Sequence, residues 1–156
     1  MTISGYDIQP GSIVDRALLL RFMTLTYQEL FPEVGDFSHL VQTVEQYFSP
    51  QTPLWWAFPA ENSTTKVGCI WVGNGIDQIQ GDRYAHIFLL YVKPEHRRQG
   101  LGKSLMQQAQ TWATQRGDRQ IGLHVFCQNQ GAIALYQQLG FSPQSWLMLK
   151  PLTQED

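Results

Sequence analysis

The chain has 156 residues, 43% of them hydrophobic and 15% charged, with a formal net charge of -2. That length buries enough surface for one self-sufficient domain, and the apolar content excludes a disordered tail protein. A near-neutral balance excludes the basic footprint of a nucleic-acid binder, while the low charged fraction fits generous apolar surface or a homodimer interface.

Cys69 and Cys127 form no C-x-x-C pair, and the few histidines do not complete a set of metal ligands, so no metal is expected and a reducing, cytoplasmic setting fits. The amino terminus lacks the basic start and apolar core of a signal peptide. The run Ala17-Leu18-Leu19-Leu20 is stopped by Arg21 far short of a membrane span, so no membrane association is expected. With no repeat and no long linker, residues 1–156 read as a single domain.

A short strand over residues 6–9 meets Pro10-Gly11, and Ser12 caps a helix whose inward stripe is Ile13, Ala17, Leu20, Leu25 and Leu30. A second helix over residues 38–48 turns Leu40, Val41, Val44 and Phe48 to one side. Extended segments at 54–59 and 66–73 read as an antiparallel hairpin, with a third strand at 85–92 beside them. That third strand is apolar almost throughout, as expected of a strand covered on both faces. A helix follows with Leu101, Leu105, Ala109, Trp112 and Ala113 inward, ending at Gly117. A strand at 121–126, a short helix with Ala132, Leu135 and Leu139 inward, and one or two last strands over 141–149 complete the chain. The expected fold is α+β, a mixed, mostly antiparallel sheet of six to seven strands with helices on both faces.

The turn between the apolar strand and its helix carries the chemistry. Arg97-Arg98-Gln99-Gly100-Leu101-Gly102 places two glycines and two arginines where the first amides of a helix point outward. Unpaired N–H groups, the helix dipole, and the charges of Arg97, Arg98 and Lys103 all favour phosphate oxygens. Gly102-Lys103-Ser104 imitates the end of a Walker A loop, but Arg97 stands where that loop needs a glycine. The dinucleotide fingerprint fails as well, with Leu105 in place of its third glycine.

The pattern R/Q-x-x-G-x-G/A is satisfied by Arg97, Gly100 and Gly102. Downstream, Leu123-His124-Val125-Phe126-Cys127-Gln128-Asn129 leads into Ala132-Ile133-Ala134-Leu135-Tyr136-Gln137-Gln138-Leu139-Gly140-Phe141, which reads N-x-x-A-x-x-L-Y-x-x-L-G-F. These two motifs, in this order, resemble those of the GNAT superfamily of acetyl-CoA-dependent N-acetyltransferases. The resemblance is close from about His86 to Phe141 and only topological before that.

The resemblance implies acetyl-CoA as cosubstrate. Its pyrophosphate would lie against the turn from Arg97 through Arg98, Gln99, Gly100, Leu101 and Gly102, with Lys103 and Ser104. Its pantetheine would pair with the backbone of Leu90, Tyr91 and Val92 like an added strand. Asn129 would touch the pantetheine arm or cap the helix, or both. Tyr136 would be the general acid for the departing thiolate, a phenol being still protonated at neutral pH. Relatives that acetylate protein amino termini often carry Glu where this chain has His124. An imidazole is a possible general base, with His86 and Glu29 as weaker candidates and a packed strand histidine as the alternative. Glu29, Glu33 and Asp36, and the aromatics Tyr27, Trp55, Trp56 and Trp71, could line a site for a primary amine whose identity stays open. The competing functions are a GNAT-like acyl-CoA sensor without activity and a degenerate P-loop nucleotide binder.

Overall fold

The computed structural model describes residues 2, 3 and 5–153. Its elements run β1 Thr2–Ile3, β2 Tyr6–Pro10, α1 Arg16–Leu30, α2 Leu40–Tyr47, β3 Leu54–Pro59, β4 Gly68–Ile76, β5 Arg83–Val92, α3 Leu101–Arg116, β6 Ile121–Leu123 and α4 Gln130–Gln138. The strands lie in sequence order in one mixed sheet. Five principal strands, β2 to β6, carry it, and β1 adds a two-residue edge. Every neighbouring pair is antiparallel except β5–β6, which is parallel because α3 carries the chain back across the sheet.

Two cores sit on opposite faces. Trp55, Ala57, Ile70, Val72, Ala85 and Ile87 face α3, meeting Leu101, Leu105, Met106, Ala109 and Ala113. Leu54, Trp56, Cys69, Trp71, Leu89 and Tyr91 face α1 and α2, meeting Leu19, Phe22, Met23, Leu40 and Val44. β5 therefore has apolar side chains on both faces because both are covered, as its sequence implies.

Within β5 the alternation slips once. Trp71 pairs with Leu89 and Val72 with Ile87, leaving Phe88 as an extra residue, so Phe88 and Leu89 both lean to the α1 side. Such a bulge bends a strand and sharpens its twist.

Three expectations fail. The inward stripe of α1 is Leu19, Phe22 and Met23, while Ile13 and Ala17 are exposed. Residues Ile13–Asp15 form a 3₁₀ turn, whose three-residue period displaces a phase counted from Ile13. Asp15 holds this turn in place by accepting from the Ser12 amide and from Trp56 Nε1, each at 2.9 Å. The strand expected at 121–126 ends at Leu123, since the chain then swings toward α1. Finally, residues 141–149 form no strand: Phe141 packs back on Tyr136, and the chain beyond Pro143 leaves the body. Among the described residues no helix is long and apolar enough to cross a membrane.

Candidate functional site

The paired ends of β5 and β6 are clamped by charges. Arg119 forks onto Asp82 at 2.7 and 2.8 Å, and Gln120 donates to Asp77 at 2.9 Å. The last paired residues are Ile87 and Leu123. Past that point β5 continues through Val92 while residues 124–126 turn away, so among the described residues the β6-side edge of Phe88 to Val92 has no strand beside it. The divergence begins next to the extra residue Phe88, where the bend is built in. Leu90, Tyr91 and Val92, the residues expected to pair with an extended ligand, lie on this open edge.

At the end of that edge, the turn before α3 holds two successive left-handed centres, Arg98 at φ 63° and Gly100 at φ 84°. Six amides in a row, residues 98–103, make no hydrogen bond to the described residues. Alternating right- and left-handed residues ahead of a helix gather such N–H groups into an anion-binding concavity. Gly100 is required by its conformation. Gly102 faces α4, where an added Cβ would lie 3.4 Å from the Leu135 side chain, about van der Waals contact. The side chains of Arg98 and Lys103 add charge at the rim, whereas Ser104 is buried and its amide closes onto Gly100 O at 3.1 Å.

Arg97 is set apart from its neighbours. Its amide bonds Pro94 O, its Nε donates to Val92 O at 2.8 Å, and its guanidinium grips Glu29 of α1 at 2.7 and 2.9 Å. This fork braces the turn against α1. It also holds the Glu29 carboxyl below its ordinary range, which weakens Glu29 as a proton acceptor. Gln99 is engaged too, accepting from Tyr6 Oη at 3.1 Å, while Tyr6 Oη lies 2.8 Å from His96 Nδ1. Nothing in the sequence signals these braces, which join residues 68 to 93 positions apart.

Asn129 caps α4, its Oδ1 accepting from the Ala132 amide at 3.3 Å. One helix face further on, Tyr136 packs against the α3-side core and Phe141, and burial pushes its phenol up to about 12. The two histidines meet across the divergence: the rings of His86 and His124 are 5.0 Å apart, and His86 lies half-buried between His124 and Phe88. Desolvation first, and the neighbouring His124 second, hold His86 below its ordinary 6.5. Beside them Phe126 stacks edge-on against Phe31 at 4.9 Å and Tyr27 at 5.8 Å. Of the aromatics expected to wall a site, only Tyr27 stands here. Trp55, Trp56 and Trp71 are core residues. Glu33 and Asp36 are exposed on the loop after α1, with Asp36 accepting from the Ser38 amide.

The acetyltransferase (GNAT) family model matches residues 20–141, a span that includes the open edge of β5, the free-amide turn and the helix bearing Tyr136. The chain belongs to the GNAT acetyltransferase family. An uncharacterized N-acetyltransferase of Methanocaldococcus jannaschii is 34% identical over 85 residues, covering 52% of this chain and 36% of that protein. The alanine N-acetyltransferase for ribosomal protein bS18 of Escherichia coli is 40% identical over 58 residues, covering 37% of this chain and 39% of the enzyme. The matches thus span little more than a third of the length of these curated relatives. Among solved structures, the aminoglycoside N-acetyltransferase AAC(6')-Iy in complex with CoA superposes with a TM-score of 0.70 at 17% identity over 97% of both chains. That likeness is one of fold.

Proposed function

We propose that this GNAT protein is an N-acetyltransferase that moves the acetyl group of acetyl-CoA directly to a primary amine within a ternary complex. The observation that carries this reading is the run of six free amides at residues 98–103, opening onto the unpaired edge of β5. The thioester supplies an activated acetyl group when bound. The amides of Arg98, Gln99, Gly100, Leu101, Gly102 and Lys103 would bind the pyrophosphate, with Arg98 and Lys103 side chains as counter-charges. The edge of Leu90, Tyr91 and Val92 would align the pantetheine arm by backbone hydrogen bonds, a form of strand addition that fixes orientation without side-chain specificity. Asn129 shapes the chain at the far wall through its cap.

Tyr136 keeps its proton at physiological pH because burial opposes the phenolate. It is thus suited to give that proton up only when a thiolate forms beside it. The acceptor's proton would pass to His124, which stands exposed at the mouth with His86 behind it. The lowered pKa of His86 keeps it neutral at pH 7, so the histidine pair can take up a proton. Amine identity is open: the relatives named above act on a ribosomal protein and on aminoglycosides. Both cysteines are free thiols, which supports a reducing, cytoplasmic setting.

The test is thermal stabilisation by acetyl-CoA, CoA and ATP in parallel, followed by thiol release across amino acids, polyamines, aminoglycosides and peptide amino termini. A ligand at 100 times its Kd adds about 2.7 kcal/mol, an easily read shift. Stabilisation by ATP alone refutes the proposal. Stabilisation by acetyl-CoA without thiol release from any amine would instead leave an acyl-CoA sensor.

A further inference from the structure

The surroundings of the histidine pair are aromatic on both sides. Phe126 is 42% exposed, yet it stacks edge-on against Phe31 at 4.9 Å and Tyr27 at 5.8 Å. On the other side Phe88 lies 5.5 Å from His86 and 5.2 Å from Tyr47, which is itself 43% exposed. Exposed rings scattered singly need no explanation, but these adjoin the two imidazoles and leave apolar surface facing water. Burial also holds the Tyr27 phenol above its ordinary range, the mark of a wall partly withdrawn from solvent.

Free negative charge is scarce by comparison. Glu29, in the last turn of α1, is forked by Arg97. Asp36 accepts from the Ser38 amide, and Glu33 and Glu45 stand exposed on the α1–α2 loop and on α2. An imidazole that takes up a proton becomes a cation. A second ammonium on the acceptor would therefore meet like charge, with Glu29 already engaged.

We propose that the acceptor is a primary amine carried close to an aromatic or large apolar group and bearing no second positive charge. The apolar group is seated against Phe126, Phe31 and Tyr27 while the amine faces His124. The spacing agrees: Phe126 follows His124 by two residues, at most about 7 Å of extended chain, which an amine two carbons from a ring can bridge. This inference rests on the acetyl-transfer reading above. The amine nitrogen bonds the acetyl carbon as the C–S bond breaks, its proton passes to His124, and the departing thiolate is protonated by Tyr136.

Thiol release from acetyl-CoA decides it, measured with 2-phenylethylamine, 1,4-diaminobutane, spermidine, an aminoglycoside, and short peptides beginning with Phe or with Lys. For 2-phenylethylamine kcat/KM should exceed that for 1,4-diaminobutane by about 100-fold, mainly through KM. A still higher value with the Phe peptide keeps the same chemistry and assigns it to an amino terminus. Phe126→Glu should erase at least about tenfold of the preference and Phe126→Leu should retain it. Stabilisation of both variants by acetyl-CoA shows that they fold. Faster turnover of the diamine, spermidine or the aminoglycoside overturns the inference and leaves acetyl transfer standing, as does a selectivity indifferent to Phe126→Glu. Stabilisation by acetyl-CoA with no thiol release from any amine instead removes the enzymatic reading, and this inference with it.

Discussion

On one side of β5's open edge lies the turn before α3, and on the other the aromatic end of α1 with the histidine pair. The turn is a set of donors left without acceptors: six amides, two left-handed residues and two flexible cations. The α1 side is the reverse. Its carboxylate Glu29 is already neutralised by Arg97, its rings pack on one another, and its one titratable pair is partly desolvated. A site with unmet donors favours an anion such as the phosphate proposed above. A site of satisfied and apolar groups selects by shape and proton affinity, which is why the donor is easier to infer than the acceptor.

The sharpest way to break this contrast is at Tyr136. Tyr136→Phe keeps the buried ring and removes the proton, so kcat should fall by about 10²- to 10⁴-fold with acetyl-CoA affinity unchanged. Turnover within twofold of wild type in a thiol-release assay would take the general acid away from it. Next in size is Gly100→Val, which forces a β-branched residue to φ 84°. The strain of about 1–2 kcal/mol falls on the turn proposed to hold the pyrophosphate, so acetyl-CoA affinity should drop about tenfold while kcat at saturation changes little. Calorimetric titration would show whether the loss is in binding.

On the histidine side the expected effect is a pH dependence. With the amine's proton passing to the pair, kcat/KM should fall toward acid pH, and His124→Ala should remove that limb. A profile unchanged by His124→Ala would exclude the residue as base. Stability moves the same way. His86 has a folded pKa below its unfolded value, so the unfolded chain binds more protons between the two, and the protein loses stability as pH falls from 6.5 through the lowered pKa. Denaturant midpoints at pH 7 and 5.5, compared with His86→Phe, would read it. Smallest of all is Glu29→Gln. The Arg97–Glu29 pair is half exposed, so its loss should cost at most about 1 kcal/mol and shift acetyl-CoA affinity by less than threefold. A larger drop in affinity would mean that the brace positions the turn.

Much of this was legible in the sequence, for a physical reason. The turn from Arg97 to Gly102 and the helix with Tyr136 are local: neighbouring residues create the free amides, the cap and the spacing. The two-faced burial of β5 was legible too, since it is written in one uninterrupted apolar run. What could not be read was whatever depends on distant partners. Arg97 reads as a phosphate ligand in the sequence, and the partner its guanidinium takes, Glu29, lies 68 positions away. The stripe of α1 was misjudged because a 3₁₀ turn shifts its phase, and three successive leucines fit more than one phase. The last apolar segment reads as a strand in any window, but a strand needs a neighbour, and among the described residues it has none.

The extra residue Phe88 has a kinetic consequence. Because a bulge in the strand, and not a mobile loop, parts β5 from β6, the channel between them stands ready before any ligand arrives. Entry of acetyl-CoA then needs no opening step. Its observed association rate should rise linearly with concentration, with no plateau that would betray a slow rearrangement.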